Sequence, residues 1–214
     1  MINAGWRRRH FIAAALAGGY GGLAAAAPGA APLVLVVGDS LSAEYGLKRG
    51  SGWVALLEQR LQAQPGGARV VNASISGDTT SGGRSRLGAL LARHHPTVVV
   101  IELGGNDALR GLPLKMTEDN LTQMTRAAQK AGARVLLVGM QVPPNYGTDY
   151  ANRFMALFGK VAQATRAAVV PFLLKGIADD ADPTRLFQPD RIHPREEAHP
   201  RMLENVWPEL KKLL

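Results

Sequence analysis

Five short apolar runs recur along the chain, Leu33–Val37, Arg69–Ala73, Thr97–Leu103, Arg134–Gly139 and Val169–Leu173, and amphipathic stretches separate them. Runs this rich in Val, Leu and Ile suit strands buried on both faces, because neither side of such a strand meets water. Strands alternating with helices need a crossover at every step, which makes the sheet parallel and the class α/β. The intervening stretches carry apolar residues at helical spacing: Trp53, Leu56, Leu57 and Leu61, then Leu121, Met124 and Ala128, then Phe154, Leu157, Phe158 and Val161. These stripes read as core packing. Thr80–Arg93 reads as a further helix although its glycines weaken it. Pro200–Leu214 reads as the last helix, with Pro200 suited to a first turn and Pro208 expected to kink or split it. Pro143–Tyr150 and Ile177–Arg191 are polar, proline-bearing connections, and loops at strand ends make pocket walls in such folds.

The chain has 214 residues, enough for one domain with a full core. That domain is expected over 33–214, because the N-terminus reads as a leader. Arg7, Arg8 and Arg9 precede the weakly apolar Phe11–Leu23 and the alanine run Ala24–Ala27. A basic start, an apolar stretch too short to span a bilayer and small residues at its end describe a signal peptide over 1–26. Arg8-Arg9-His10-Phe11-Ile12 also resembles a twin-arginine signal, with the general secretory route as the alternative. Either route implies a periplasmic or secreted protein. Loss of 1–26 removes three arginines and no acid, taking the net charge from +8 to +5. The remaining cations are scattered without aromatic interleaving, which argues against nucleic acid as a partner. No apolar run in the mature chain reaches membrane-span length. With no cysteine, disulfides, thiolate nucleophiles and Cys-ligated metals are excluded. A monomer is the simple expectation for a compact domain of this size.

Ser40 follows the first apolar run on a glycine-led turn, Gly38-Asp39-Ser40-Leu41. A serine hydroxyl is a poor nucleophile until a base takes its proton. Of five histidines, His10 falls in the leader, His94 and His95 end a helix, and His199 lies beside Pro200 with no evident partner. His193 has Asp190 three residues earlier, a spacing that lets a carboxylate fix the ring's tautomer. Acyl transfer also needs donors for its oxyanion. Gly77 follows the second run and offers an unobstructed N–H. Asn106 follows the third and offers a side-chain amide, and Ser40 adds its own N–H. Each piece has a plainer reading: a strand-end glycine as a turn, Asn-Asp as a helix cap, D-x-x-H as a surface pair. Their conjunction at one edge of the sheet outweighs these.

The order Ser, Gly, Asn, His with these local words resembles the SGNH, or GDSL, hydrolase superfamily, and most the bacterial periplasmic thioesterase I/lysophospholipase/arylesterase branch. The words are Gly38–Ala43, Asn72–Thr79, Glu102–Gly111 and Asp190–Pro194, and the resemblance covers about residues 33–210. It implies a flavodoxin-like three-layer α/β/α sandwich with about five parallel strands. It also implies Ser40 as nucleophile, His193 as base and Asp190 as its orienter. Ser40, Gly77 and Asn106 would supply the oxyanion hole, with no metal or organic cofactor. The substrate implied is a small-molecule acyl ester or thioester: an arylester, an acyl thioester or a lysophospholipid. Pro-Asn-Tyr-Gly in the 143–150 loop matches the branch too and implies a wall role for Pro144, Asn145 and Tyr146. Asp39, Asp78 and Asp107 read as turn stabilisers, and Glu102 as a buried hydrogen-bonding acid. No G-x-S-x-G elbow occurs, which argues against the other large α/β esterase class. The competing readings are a carbohydrate acetylesterase and a non-catalytic binder of a small ligand on the same fold; a binder has no need of serine, aspartate and histidine together.

Overall fold

The computed structural model describes Met1 and residues 31–214 other than 65, 143 and 183, so the leader reading falls, apart from Met1, outside the described residues. Five parallel strands form one sheet: β1 (Leu33–Gly38), β2 (Arg69–Asn72), β3 (Val98–Glu102), β4 (Arg134–Val138) and β5 (Ala168–Val170). Their spatial order is β2-β1-β3-β4-β5, the flavodoxin-like order. The central strands are apolar on both sides because both sides are covered: Val34 to Val37 and Val98 to Ile101 have no exposed surface. Helix α1 (Trp53–Gln62) packs with α6 (His199–Lys211) on one face, while α2 (Thr80–His94), α4 (Leu114–Lys130) and α5 (Thr148–Thr165) pack together on the other. The expected stripes point inward, Trp53, Leu57 and Leu61 from α1 and Phe154 and Phe158 from α5 among them. Those two phenylalanines meet edge to face at 5.4 Å between ring centres, a geometry their quadrupoles favour.

Three sequence expectations need correction. The fifth strand stops at Val170 instead of running to Leu173. Pro171 has no N–H for the ladder, and Leu173 rejoins the Gly139 carbonyl at 2.9 Å after the chain loops out. The 143–150 connection is shorter than it reads, since a 3-10 turn covers Pro144–Tyr146 and α5 already starts at Thr148. Pro208 does not split the last helix, which continues to Lys211. Pro208 lies on the exposed side, so the carbonyl four residues earlier, on exposed Glu204, loses its partner next to water and not inside the core.

From β1 the chain goes to β2 on one side and then crosses back over β1 to β3 on the other, so the ends of β1 and β3 flank the crevice where ligands gather in open α/β sheets. The segment after β1 carries Ser40. A short helix after β3, α3 (Gly105–Leu109), carries Asn106 in its first turn.

Candidate active site

The β1 strand ends in a tight turn in which the N–H groups of Ser42 and Ala43 both return to the Asp39 carbonyl, at 3.2 and 2.9 Å. Gly38 is needed at its start: a Cβ there would lie 2.7 Å from Ser42 Oγ and 2.8 Å from Glu102 Oε2. The turn leaves Ser40 half-buried at the lip of a cavity. Ser40 Oγ is 2.9 Å from His193 Nε2, and His193 Nδ1 is 2.7 Å from Asp190 Oδ2. The other Asp190 oxygen accepts the backbone N–H groups of Ile192 and His193, at 2.9 and 3.0 Å. Partial burial pulls the Asp190 carboxyl upward, but the His193 N–H, the His193 ring and the Ile192 N–H outweigh it and hold the group at about 2. An ionised Asp190 can only accept, so Nδ1 carries the imidazole proton and Nε2 faces Ser40 as an acceptor. The row can therefore pass a proton from serine to histidine. The Tyr45 ring lies 4.3 Å from the His193 ring and packs along it.

Asn106 Nδ2 donates to Asp39 Oδ2 at 3.0 Å, and Asp39 Oδ1 accepts the Leu41 N–H at 3.0 Å. Asp39 thus holds the amide of Asn106 and the nucleophile turn in one fixed relation, and the second hydrogen on Asn106 Nδ2 remains for a substrate oxygen. Burial raises the Asp39 carboxyl to about 6, against the hydrogen bonds of Leu41 and Asn106. Gly77 has φ 78°, the left-handed region where a side chain is strained. Its carbonyl accepts from Arg110 at 2.9 Å, so the C-cap of α3 ties the β2–α2 turn to the Asn106 helix.

The cavity has a volume of about 610 Å³. Ser40, Asn106 and His193 stand at it, and Leu109, Met140, Val142, Phe172, Leu174 and Phe187 make its walls apolar. Gly77 is not among the described lining residues. Neither are Asn145 and Tyr146; the described wall on this side is made by Met140, Gln141 and Val142 at the end of β4, and the Pro144 side chain lies outside what is described. The Tyr146 hydroxyl reaches the Leu109 carbonyl at 3.4 Å, so it supports a wall residue instead of forming the wall.

Asp107 and Asp78 take the supporting places expected of them. Buried Asp107 accepts from the Thr80 N–H at 2.8 Å, from the Thr80 hydroxyl, and from the Thr117 hydroxyl at 3.2 Å, which pins α2 to α3 and α4. Asp78 pairs with Arg86. His199, by contrast, does have a partner, one remote in sequence. It is buried at the start of α6, and its Nδ1 accepts the Trp53 N–H at 3.0 Å, capping a helix that Gly52 leaves uncapped. Burial lowers its pKa to about 4, against the Pro194 backbone and Glu44, which favour the charged form. The folded state resists protonation of His199 while the unfolded state accepts it near 6.5. Stability from this residue is therefore complete above pH 6.5 and declines by about 3 kcal/mol as pH falls to about 4. His199→Asn keeps an acceptor and does not titrate, so its urea midpoint should close on that of the wild type across this window; parallel curves would rule the linkage out.

A model of the GDSL-like Lipase/Acylhydrolase family matches residues 36–201, from within β1 into the last helix. The chain belongs to this family. Esterase TesA of Pseudomonas aeruginosa is 52% identical over 185 residues, which cover 86% of this chain and 90% of TesA. Thioesterase 1/protease 1/lysophospholipase L1 of Escherichia coli K12 is 39% identical, covering 86% of each chain. Among solved structures, the psychrotrophic esterase EstA from Pseudoalteromonas sp., inhibited by monoethylphosphonate, superposes with a TM-score of 0.78 at 40% identity, covering 84% of this chain and 97% of EstA. The five-stranded parallel α/β architecture is thus the one this GDSL family chain shares with a solved esterase.

Proposed function

We infer that this chain is a serine hydrolase of carboxylic esters and acyl thioesters that works through an acyl-enzyme on Ser40. The observation that carries the reading is the hydrogen-bonded row Asp190–His193–Ser40 opening onto an apolar cavity. Ser40 Oγ attacks the acyl carbonyl carbon while His193 Nε2 takes its proton. The carbonyl oxygen, now negative, is met by the Asn106 amide and the N–H groups of Ser40 and Gly77. His193 then returns the proton to the departing alcohol or thiol as the acyl C–O or C–S bond breaks. Water, deprotonated by the same nitrogen, releases the acid and restores the serine. Asp190 stabilises the imidazolium without taking the proton.

The walls argue for an alkyl or aryl acyl group over a sugar ester, since apart from Asp39, Ser40, Asn106 and His193 their polar side chains are Gln141, Thr184 and Arg191 alone among the described lining residues. The names of the relatives, esterase and thioesterase/lysophospholipase, agree with that choice. Hydrolysis of p-nitrophenyl esters from acetyl to palmitoyl tests it. Turnover should peak at one chain length and vanish after treatment with an alkyl phosphonate, with the adduct mapped by mass spectrometry to Ser40. Turnover that survives an adduct on Ser40 would defeat the assignment. Asn106→Ala is expected to lower kcat by roughly 10²–10³-fold with KM little changed, as for loss of one oxyanion donor; a change in KM alone would move Asn106 to ground-state binding.

Residues 1–26 are proposed as an export leader and 33–214 as a monomeric hydrolase domain. Cell fractionation with N-terminal sequencing, and the elution volume of the purified chain, test the two points.

A further inference from the structure

Asp190 and His193 sit outside the sheet, on a small hairpin of their own. Phe187 bridges Pro194 in antiparallel fashion, the Gln188 N–H donates to the His193 carbonyl at 2.8 Å, and the Arg195 N–H donates to the Leu186 carbonyl at 2.7 Å. At the tip, the Arg191 N–H donates to the Gln188 carbonyl at 2.9 Å. Buried Phe187 roots the stem in the cavity wall. An isolated two-stranded hairpin is marginal in water. This one nonetheless carries the ring whose Nε2 stands 2.9 Å from the hydroxyl of a serine 153 residues away. Something beyond its own rungs therefore fixes where the tip lies.

Beyond the Ser40–His193 pair, one hydrogen bond among the described residues joins this hairpin to the loop that carries the nucleophile. Gln188 Nε2 donates to the Tyr45 carbonyl at 3.0 Å and, with its second hydrogen, to the Pro194 carbonyl at 3.1 Å. Gly46 makes room for this amide, since a Cβ there would collide with it. Tyr45 is in turn tied to the nucleophile, because its N–H donates to the Ser40 carbonyl at 3.4 Å. Ser40 to Tyr45, Tyr45 to Gln188, Gln188 to His193 and His193 back to Ser40 form a closed circuit. The Tyr45 side chain adds a second tie: its ring lies 4.3 Å from the His193 imidazole, with 37° between the planes. That side chain leaves 49% of the residue's surface in water, so burial of its own apolar area does not explain its place. What it covers is one face of the base.

We propose that Tyr45 and Gln188 are positioning residues for ester hydrolysis: together they clamp the Asp190–His193 hairpin onto the nucleophile turn and keep His193 Nε2 in line with Ser40 Oγ. The proposal rests on the acyl-enzyme reading of Ser40. Neither residue is among the described lining residues of the cavity. Their effect therefore falls on the chemical step, through the placing of the base, and not on the binding of substrate. A tie that served the fold alone would alter stability and leave the turnover of the folded protein unchanged.

Two variants of the purified protein test this. Gln188→Met keeps the length of the side chain and removes both donors, and Tyr45→Leu keeps an apolar side chain and removes the flat face. Each should lower kcat for p-nitrophenyl butyrate roughly tenfold with KM within about twofold, because small misplacements of a reacting group act on the chemical step. Tyr45→Phe keeps the face and should restore kcat. Assays run well below each variant's urea midpoint keep unfolding out of the rates. Amide exchange over 186–195, read by mass spectrometry, should quicken roughly fivefold in Gln188→Met while β1 and β3 exchange as in the wild type. Wild-type kcat in both variants, or unchanged exchange over the hairpin, would overturn the clamp. So would a raised KM at constant kcat, which would make the two residues part of substrate binding. A wild-type protein that turns over no ester would count against the hydrolase reading, and the exchange rates would still decide whether the clamp exists.

Discussion

Ser40→Ala is expected to lower kcat for every ester substrate by roughly 10⁶-fold, and His193→Ala by a similar factor, while binding of a non-hydrolysable substrate analogue stays within a few-fold of the wild type. The size follows from the arrangement. Ser40 Oγ is 2.9 Å from the one nitrogen able to accept its proton, and that nitrogen is an acceptor only because Asp190 holds the proton on the other. Removing either partner leaves no nucleophile, so the losses should not multiply. The Ser40→Ala/His193→Ala double variant is expected to be no slower than either single one, its residual rate coming from the oxyanion donors and binding. Asp190→Asn should cost about 10⁴-fold, because an amide can present its N–H to Nδ1 and drive the ring to the unproductive tautomer. Single-turnover rates of the four variants on one p-nitrophenyl ester decide the matter. Losses that multiply in the double variant would mean that the row does not act as one unit.

Much of this arrangement is legible in the sequence because it rests on local words. The strands follow from runs such as Leu33–Val37, whose apolarity is independent of context once both faces are covered. Asp190 and His193 are three residues apart, and their contact needs only the turn between them. Ser40 and Asn106 are legible because each directly follows a recognisable strand. What stays hidden depends on neighbours distant in sequence. His199 meets Trp53 across 146 positions, and no pattern near either residue announces that contact. The cavity walls are similar. Pro-Asn-Tyr-Gly marks a loop, yet the residues described at the cavity on that side are Met140 to Val142, which sit where β4 ends. Pro208 shows the same limit in reverse: its effect on α6 is set by which side of the helix meets water, and spacing alone does not fix that. Glu102 reads as a buried acid from its place on a strand, but its partners, Asp39 and Ser42, come from the nucleophile turn some sixty residues earlier in the chain.

Those partners make Glu102 the most consequential residue beneath the nucleophile turn. Its Oε2 accepts the Ser42 hydroxyl at 2.7 Å and faces the Asp39 N–H at 3.4 Å, while Ser42 Oγ accepts the Trp53 indole N–H at 3.2 Å. The chain Trp53–Ser42–Glu102 thus fastens helix α1, the Ser40 turn and the end of β3 to one another. Glu102 has no exposed surface, and Oε1 has no partner among the described residues. Burial first, and then the charge of nearby Asp39, push its carboxyl well above the usual 4.5 and favour the neutral acid. Glu102→Ala removes the acceptor, leaves a void and orphans the Ser42 hydroxyl, and should lower stability by about 4 kcal/mol. Glu102→Gln keeps an oxygen for both donors and should be tolerated. The sign with pH separates the neutral from the charged form. A group whose folded pKa is raised stabilises the protein fully below its unfolded value, and that stability is lost as pH rises. Wild type and Glu102→Gln should therefore match near pH 4, and the variant should gain relative stability from pH 4.5 upward. Asp39, raised to about 6, shifts in the same direction in both proteins, so the difference between their urea midpoints is the quantity to read. A variant that loses ground as pH rises, or one as damaged as Glu102→Ala, would show that the turn depends on an ionised carboxylate at this position.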